Sequence, residues 1–118
     1  MKVEMTNEEM RKAIEVLSTA REKGKLGYAI ARNTRKLKDA AKEYLDMREK
    51  LIREHGDKDE KGNITVSEKK WAKCQEEMED IMGISHEADL FAVSSDDFMS
   101  GTLNSWQMER LLWMVKEE

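Results

Sequence analysis

From Met10 onward, apolar side chains recur every three or four positions: Met10, Ala13, Leu17 and Ala20, widened by Ile14 and Val16. That spacing predicts an amphipathic helix over 7–23. Thr6-Asn7-Glu8-Glu9 in front of it reads as a capping box, and Gly24 behind it as a helix stop. Ahead of the cap, Lys2-Val3-Glu4-Met5 alternates and predicts a short strand. A longer series follows: Leu26, Ile30, Asn33, Leu37, Ala40, Tyr44, Met47 and Leu51. Its steps alternate between four and three, a heptad seam that predicts one helix over 25–55. Such a helix spans about 45 Å, against about 25 Å for the first, so a hairpin of the two leaves half the seam bare. A later helix or a second copy of the chain must cover it. Asn33 sits within the seam, where a polar residue fixes register or oligomeric state, unless it faces solvent at the hairpin end.

Residues 56–63 form a polar turn region, and Ile64-Thr65-Val66 is a short β-prone stretch. Ser67 caps a third helix over 68–82, with Trp71, Cys74, Met78, Ile81 and Met82 on one side and Gly83 after it. Leu90-Phe91-Ala92-Val93 is the strongest strand signal, and the expected sheet pairs 2–5 with 89–93. Ser94–Phe98 reads as a capped single turn. Asn104 or Ser105 opens a last helix over 105–116. The fold class that follows is α+β and mostly helical, a long helical hairpin with two further helices and a small antiparallel sheet of two or three short strands. A chain of 118 residues makes this one domain, 1–118.

Charge changes the picture. The net charge is −4, with 21 Lys and Arg against 25 Asp and Glu. Residues 1–73 hold 19 basic and 14 acidic side chains, and residues 74–118 hold 2 and 11. The two halves therefore carry +5 and −9. Either they pack and neutralise one another, or each presents a face that steers a partner. The acidic balance argues against duplex nucleic acid. A single Cys excludes an intramolecular disulfide, and no apolar run reaches the length of a membrane span. Met1–Met5 lacks the apolar core of a signal peptide, so a reducing cytoplasmic location is expected.

Three groups of residues carry candidate chemistry. Asp57, Asp59, Asn63 and Glu68 fall on the calcium-ligand positions of an EF-hand loop, with Gly62 at the turn; Lys61 puts a cation where a ligand belongs. The competing reading is a solvated turn. Tyr28, Arg32, Arg35 and Lys36 share a basic helix face that suits a phosphate-bearing nucleotide, unless that face is simply solvated. In the last helix, Met108, Leu111, Leu112 and Val115 form one apolar face, and Trp106, Arg110 and Trp113 form another. A helix apolar on both sides is either wholly internal or covered by another subunit or a partner. With Asn33, Leu37 and Tyr44 of the long seam, these three make the expected oligomer or partner interface. His55, His86 and Cys74 form no catalytic or zinc pattern, and no phosphate loop or nucleophile elbow is present. The chain reads as a non-enzyme without a cofactor.

The order of these elements resembles a family of small phage and prophage proteins of Gram-positive bacteria that has no assigned activity. The likeness rests on the Thr6-Asn7-Glu8-Glu9 helix and on Lys50-Leu51-Ile52-Arg53-Glu54-His55-Gly56 with the following Asp57–Asn63 turn. It extends to Gln107-Met108-Glu109-Arg110-Leu111-Leu112-Trp113-Met114. In that family Asn commonly stands where this chain has Lys61. The resemblance implies a phage accessory protein acting in the host bacterial cytoplasm or on the virion. The leading expectation is a homo-oligomer, a dimer or larger, that binds and inhibits a host antiviral defence protein. The alternatives are a sponge for a phosphate-bearing nucleotide signal and a virion assembly or tail chaperone factor.

Overall fold

A computed structural model describes residues 1–116. Strand β1 (Lys2–Thr6) runs directly into helix α1 (Asn7–Thr19). Thr6 both ends the strand and caps the helix. Its hydroxyl accepts from the Glu9 N–H at 3.1 Å, and the Glu9 carboxylate accepts from the Thr6 N–H at 3.1 Å. α1 stops at Thr19, earlier than the expected residue 23, because Ala20 turns extended and the chain reverses into α2 (Gly24–Ala40). Glu22 pins that reversal: its carboxylate accepts from the N–H and the hydroxyl of Thr102 at 2.6 and 2.9 Å. α1 and α2 form the expected helical hairpin, with Met10, Leu17, Ala29 and Leu37 buried in one core.

The helix expected over 25–55 is two helices. α2 and α3 (Lys42–His55) meet at Ala41, whose φ of −100° and ψ of 11° interrupt the helix. Beyond the break the buried positions shift from Leu37 to Ala41 and Tyr44, while Met47 is 49% exposed. α1 is too short to cover this half. The bend turns α3 toward α4 (Glu68–Met82), whose Cys74 and Met78 are buried against it. Leu26, Ile30, Asn33, Leu37 and Tyr44 of the long seam are therefore covered within the chain, while Met47 is not. Between them, β2 (Asp57–Lys58) and β3 (Ile64–Thr65) form a small antiparallel hairpin. The Arg48 guanidinium stacks 5.5 Å above the Trp71 ring, and His55 Nε2 meets the Glu77 carboxylate at 2.9 Å.

The sheet partner of β1 is β4 (Ser85–Asp89), antiparallel, with Lys2 opposite Asp89 and Thr6 opposite Ser85. This corrects the expected strand over 89–93. Leu90-Phe91-Ala92-Val93 is an extended core segment instead, and its backbone is satisfied from three separate places. Leu90 N–H donates to Met1 O at 2.8 Å. The Asn33 side chain takes both groups of Phe91, and Val93 exchanges with Met114 O and Lys116 N–H at 2.8 and 2.7 Å. Strand propensity here reported burial, which Leu90 and Val93 achieve without a ladder. α5 (Ser95–Met99) and α6 (Ser105–Leu111) follow, and α6 tightens into a 3₁₀ turn over Leu112–Met114, not a helix to residue 116.

The fold is α+β and mostly helical, with two small two-stranded sheets. Its Cα radius of gyration is 16.4 Å, whereas a compact chain of this length has about 13–14 Å. The excess is the arm formed by α3, the β2–β3 hairpin and α4, which projects from the body and stretches the molecule to 46 × 31 × 21 Å. Among the described residues, the charged halves do not neutralise each other by contact. Only His55 with Glu77, and the terminal amine with Asp89, bridge them.

Candidate functional site

α6 is positioned at both ends. Asn104 and Gln107 form a reciprocal capping box, each side chain accepting from the other's N–H at 2.9 Å. Gln107 also donates to the Thr19 hydroxyl at 3.0 Å, which fastens α6 along α1. Leu111 and Met114 are fully buried. The 3₁₀ turn rotates Leu112 out, leaving it 59% exposed, while Met108, Leu111 and Val115 of the expected inner face pack on the core, joined there by Gln107 and Met114.

With that face inward, Trp106, Arg110 and Trp113 lie along α1 and line a groove of about 370 Å³. Met5, Ala13 and Val16 contribute apolar surface, while Glu9, Lys12 and Glu15 supply charge. The Arg110 guanidinium sits 4.6 Å above the Trp106 ring and donates to the Trp106 carbonyl at 3.2 Å. Stacking holds both side chains in one conformation while each keeps exposed surface, an arrangement suited to recognition. The α1 residues of this groove were not legible as such in the sequence, where Glu9 read as part of the capping box and Ala13 and Val16 as core positions.

The other three expected interface residues lie elsewhere. Asn33 and Leu37 are fully buried and Tyr44 is 3% exposed, all inside the single chain, so none presents a surface to a partner. Asn33 does fix register, but between α2 and the segment after β4. It donates to Phe91 O at 2.9 Å and accepts from Phe91 N–H at 2.6 Å. The Tyr44 hydroxyl donates to the Glu8 carboxylate, which also receives Arg11 Nε at 2.8 Å. Burial, reinforced by the Glu8 carboxylate, pushes the Tyr44 phenol up to about 12. Burial also opposes ionisation of Glu8, but the Arg11 and Tyr44 hydrogen bonds outweigh it and hold that carboxyl below its usual range. Burial pushes the Cys74 thiol up, with the Glu77 charge adding to it, which keeps the sulfur protonated and unreactive.

The calcium-type ligands are not brought together. The Asp57 carboxylate pairs with Lys70 Nζ at 3.1 Å. The Asp59 carboxylate accepts from the N–H groups of Lys61 and Asn63, both at 2.9 Å, closing a turn in which Gly62 takes a φ of +83°. Asp57 opens β2, Asn63 precedes β3 and Glu68 opens α4, all three exposed to solvent. Among the described residues no cluster of three His, Cys, Asp or Glu side chains is arranged to hold a metal ion.

The basic group is partly assembled. Arg32 Nη1 donates to the Tyr28 hydroxyl at 3.0 Å, and the Tyr28 and Phe91 rings meet edge to face at 5.3 Å. Arg32 and Lys36 line a shallow cleft of about 340 Å³ with Phe91 and Lys116; Arg35 does not line it. Compared with family models, curated proteins and solved structures, the chain matches none. Fold and site together define a mostly helical α+β protein that displays on its body a groove of mixed apolar and charged character between α1 and α6.

Proposed function

We propose that this chain is a non-enzymatic binding protein that captures another protein through the groove between α1 and α6. The observation that supports this reading is the stacked Trp106–Arg110 pair beside Trp113, held half-exposed over an apolar floor. Trp and Arg are the residue types that dominate interface energetics. The groove's size suits one bulky apolar side chain of a partner, and Glu9, Lys12 and Arg110 select the charges flanking it. The partner we propose is a host antiviral defence protein met in the bacterial cytoplasm. That part of the proposal draws its support from the likeness in element order to small phage proteins. Among the described residues no helix is long and apolar enough to cross a membrane.

The test is native mass spectrometry of the protein purified gently from a bacterial host, wild type beside Trp106→Ala and Arg110→Glu. The expected result is a co-purified protein whose affinity falls about 10–100-fold in either variant. Retention of the partner by both variants overturns the groove as its site. A retained adduct of nucleotide mass, lost in Arg32→Ala, favours the sponge reading, which the exposed Tyr28–Phe91 pair beside Arg32 and Lys36 supports.

A further inference from the structure

The backbone of β1 has one used edge and one unused edge. Leu90 N–H donates to Met1 O at 2.8 Å, and Asn7 N–H donates to Ile84 O at 2.9 Å. In an antiparallel pair such residues alternate, so Met1, Val3, Met5 and Asn7 turn their N–H and C=O toward β4. Lys2, Glu4 and Thr6 turn theirs away. The Thr6 N–H confirms the phase, since it is taken on the outer side by the Glu9 carboxylate at 3.1 Å. Among the described residues nothing meets the outward N–H and C=O of Lys2 and Glu4. An unpaired edge of this kind is a template for another strand.

Beside that edge lies a cleft of about 690 Å³, lined by Lys2, Val3 and Glu4 on one side and by Ala92, Leu112, Trp113 and Val115 among others. Leu112 is 59% exposed there. The side chains of the sheet supply the remaining clue. On the outer face Glu4 stands directly opposite Glu87, a like-charge pair that destabilises the two-stranded sheet, and Lys2 stands opposite Asp89.

We propose that β1 pairs antiparallel with β1 of a second copy of this chain, about a two-fold axis through Val3. In that register Lys2 faces Glu4 of the second copy, and Glu4 faces Lys2. Both residues of each pair have outward backbone groups, so each pair exchanges two N–H···O=C hydrogen bonds. Each pair also sets opposite charges side by side. The outer face then reads Glu87, Glu4, Lys2, Asp89 across four strands, and the cation of the second copy relieves the Glu4–Glu87 repulsion. On the inner face the two Val3 side chains meet over Leu112, Trp113 and Val115. A register shifted by one residue would oppose outward groups with inward ones and make no ladder. The Glu9 carboxylate closes the edge at Thr6, which limits the pairing to these few residues. This surface shares Trp113 with the α1–α6 groove, but its pairing groups are the backbone and charges of Lys2 and Glu4, which do not line that groove, so its test does not depend on that reading.

The experiment is sedimentation equilibrium of the chain with an unmodified N-terminus, from low micromolar to near-millimolar concentration. The wild type is expected to approach the mass of two chains as concentration rises. Glu4→Lys sets two cations opposite each other twice, and shifts the midpoint at least about tenfold higher. The double variant Lys2→Glu with Glu4→Lys restores opposite charges and returns the midpoint to near the wild-type value. Of the backbone groups, Glu4→Pro removes only an outward N–H, and with it goes the carboxylate that faces Lys2 of the second copy, so β1–β4 persists by circular dichroism while association is lost. A wild type that stays monomeric throughout overturns the proposal. So does a dimer indifferent to Glu4→Lys and Glu4→Pro, or one that the double variant fails to restore.

Discussion

At the scale of single residues, two buried polar side chains hold distant parts of the chain together. Asn33 spends both ends of its amide on the backbone of Phe91, doing for one residue what a neighbouring strand does for many. Tyr44 and Arg11 share Glu8, and this cluster sits where α1 meets the root of the arm. Its titration gives stability a definite pH dependence. The Tyr44 phenol is raised to about 12 when folded, from an ordinary value of 10.0. Its contribution is therefore complete below about pH 10 and disappears as pH rises toward 12. Glu8 is shifted the other way, from an ordinary 4.5, so its contribution is complete above that value and disappears as pH falls. Urea unfolding of Tyr44→Phe should show a smaller stability loss between pH 10 and 12 than the wild type. An identical alkaline slope in both proteins would place the Tyr44 ionisation outside the folding equilibrium. From sequence, Asn33 and Tyr44 were legible as seam positions. Their partners were not, because Phe91 lies 58 residues from Asn33 and Glu8 lies 36 from Tyr44.

At the scale of elements, caps and breaks carry the design. The starts of α1, α4 and α6 are set by Thr6, Ser67 and Asn104, each accepting from an N–H in its own first turn. These starts were legible because a cap and its helix lie within four residues. The break at Ala41 was not, because nothing in Ala40-Ala41-Lys42 breaks a helix locally. It arises where α1 runs out and α4 offers the next apolar surface. The α3 end has its own constraint in Gly56. A Cβ there would collide with the Ile64 side chain and come within 2.7 Å of Ile52 O. Gly56→Ala is therefore expected to cost about 1–3 kcal/mol and to loosen the β2–β3 hairpin. The check is a lower unfolding midpoint together with faster amide exchange across 57–66. An unchanged exchange pattern would show that the hairpin has room to yield.

At the scale of the whole molecule, body and arm differ in how well they are packed. The body buries Met10, Leu17, Leu37, Leu111 and Met114 completely. The arm buries Tyr44, Cys74 and Met78 near its root, while Met47 is 49% exposed and Leu51, Ile52 and Trp71 are only half-buried. Local opening free energy follows buried apolar contact. Amides of 47–72 should therefore exchange through a lower-energy opening than those of α1 and α2. Native-state hydrogen exchange in low denaturant tests this, and a single common opening for both regions would mean that arm and body unfold together. The groove and the outer edge of β1 both lie on the body, so opening of the arm leaves them intact.

By itself the sequence determined the helical class, the positions of the caps, the polar turn closed by Asp59 and Gly62, and the grouping of Trp106, Arg110 and Trp113 on one face. Each of these depends on residues a few positions apart, where propensity, capping and periodicity act. The tertiary structure alone decided that the predicted long helix breaks at Ala41 and turns its second half onto α4, that Ser85–Asp89 rather than Leu90–Val93 pairs with β1, and that Met5 and α1 complete the groove. Those outcomes turn on competition among segments far apart in the chain for the same apolar surface. The segment that gains that surface is set by where bends such as the one at Ala41 direct the chain.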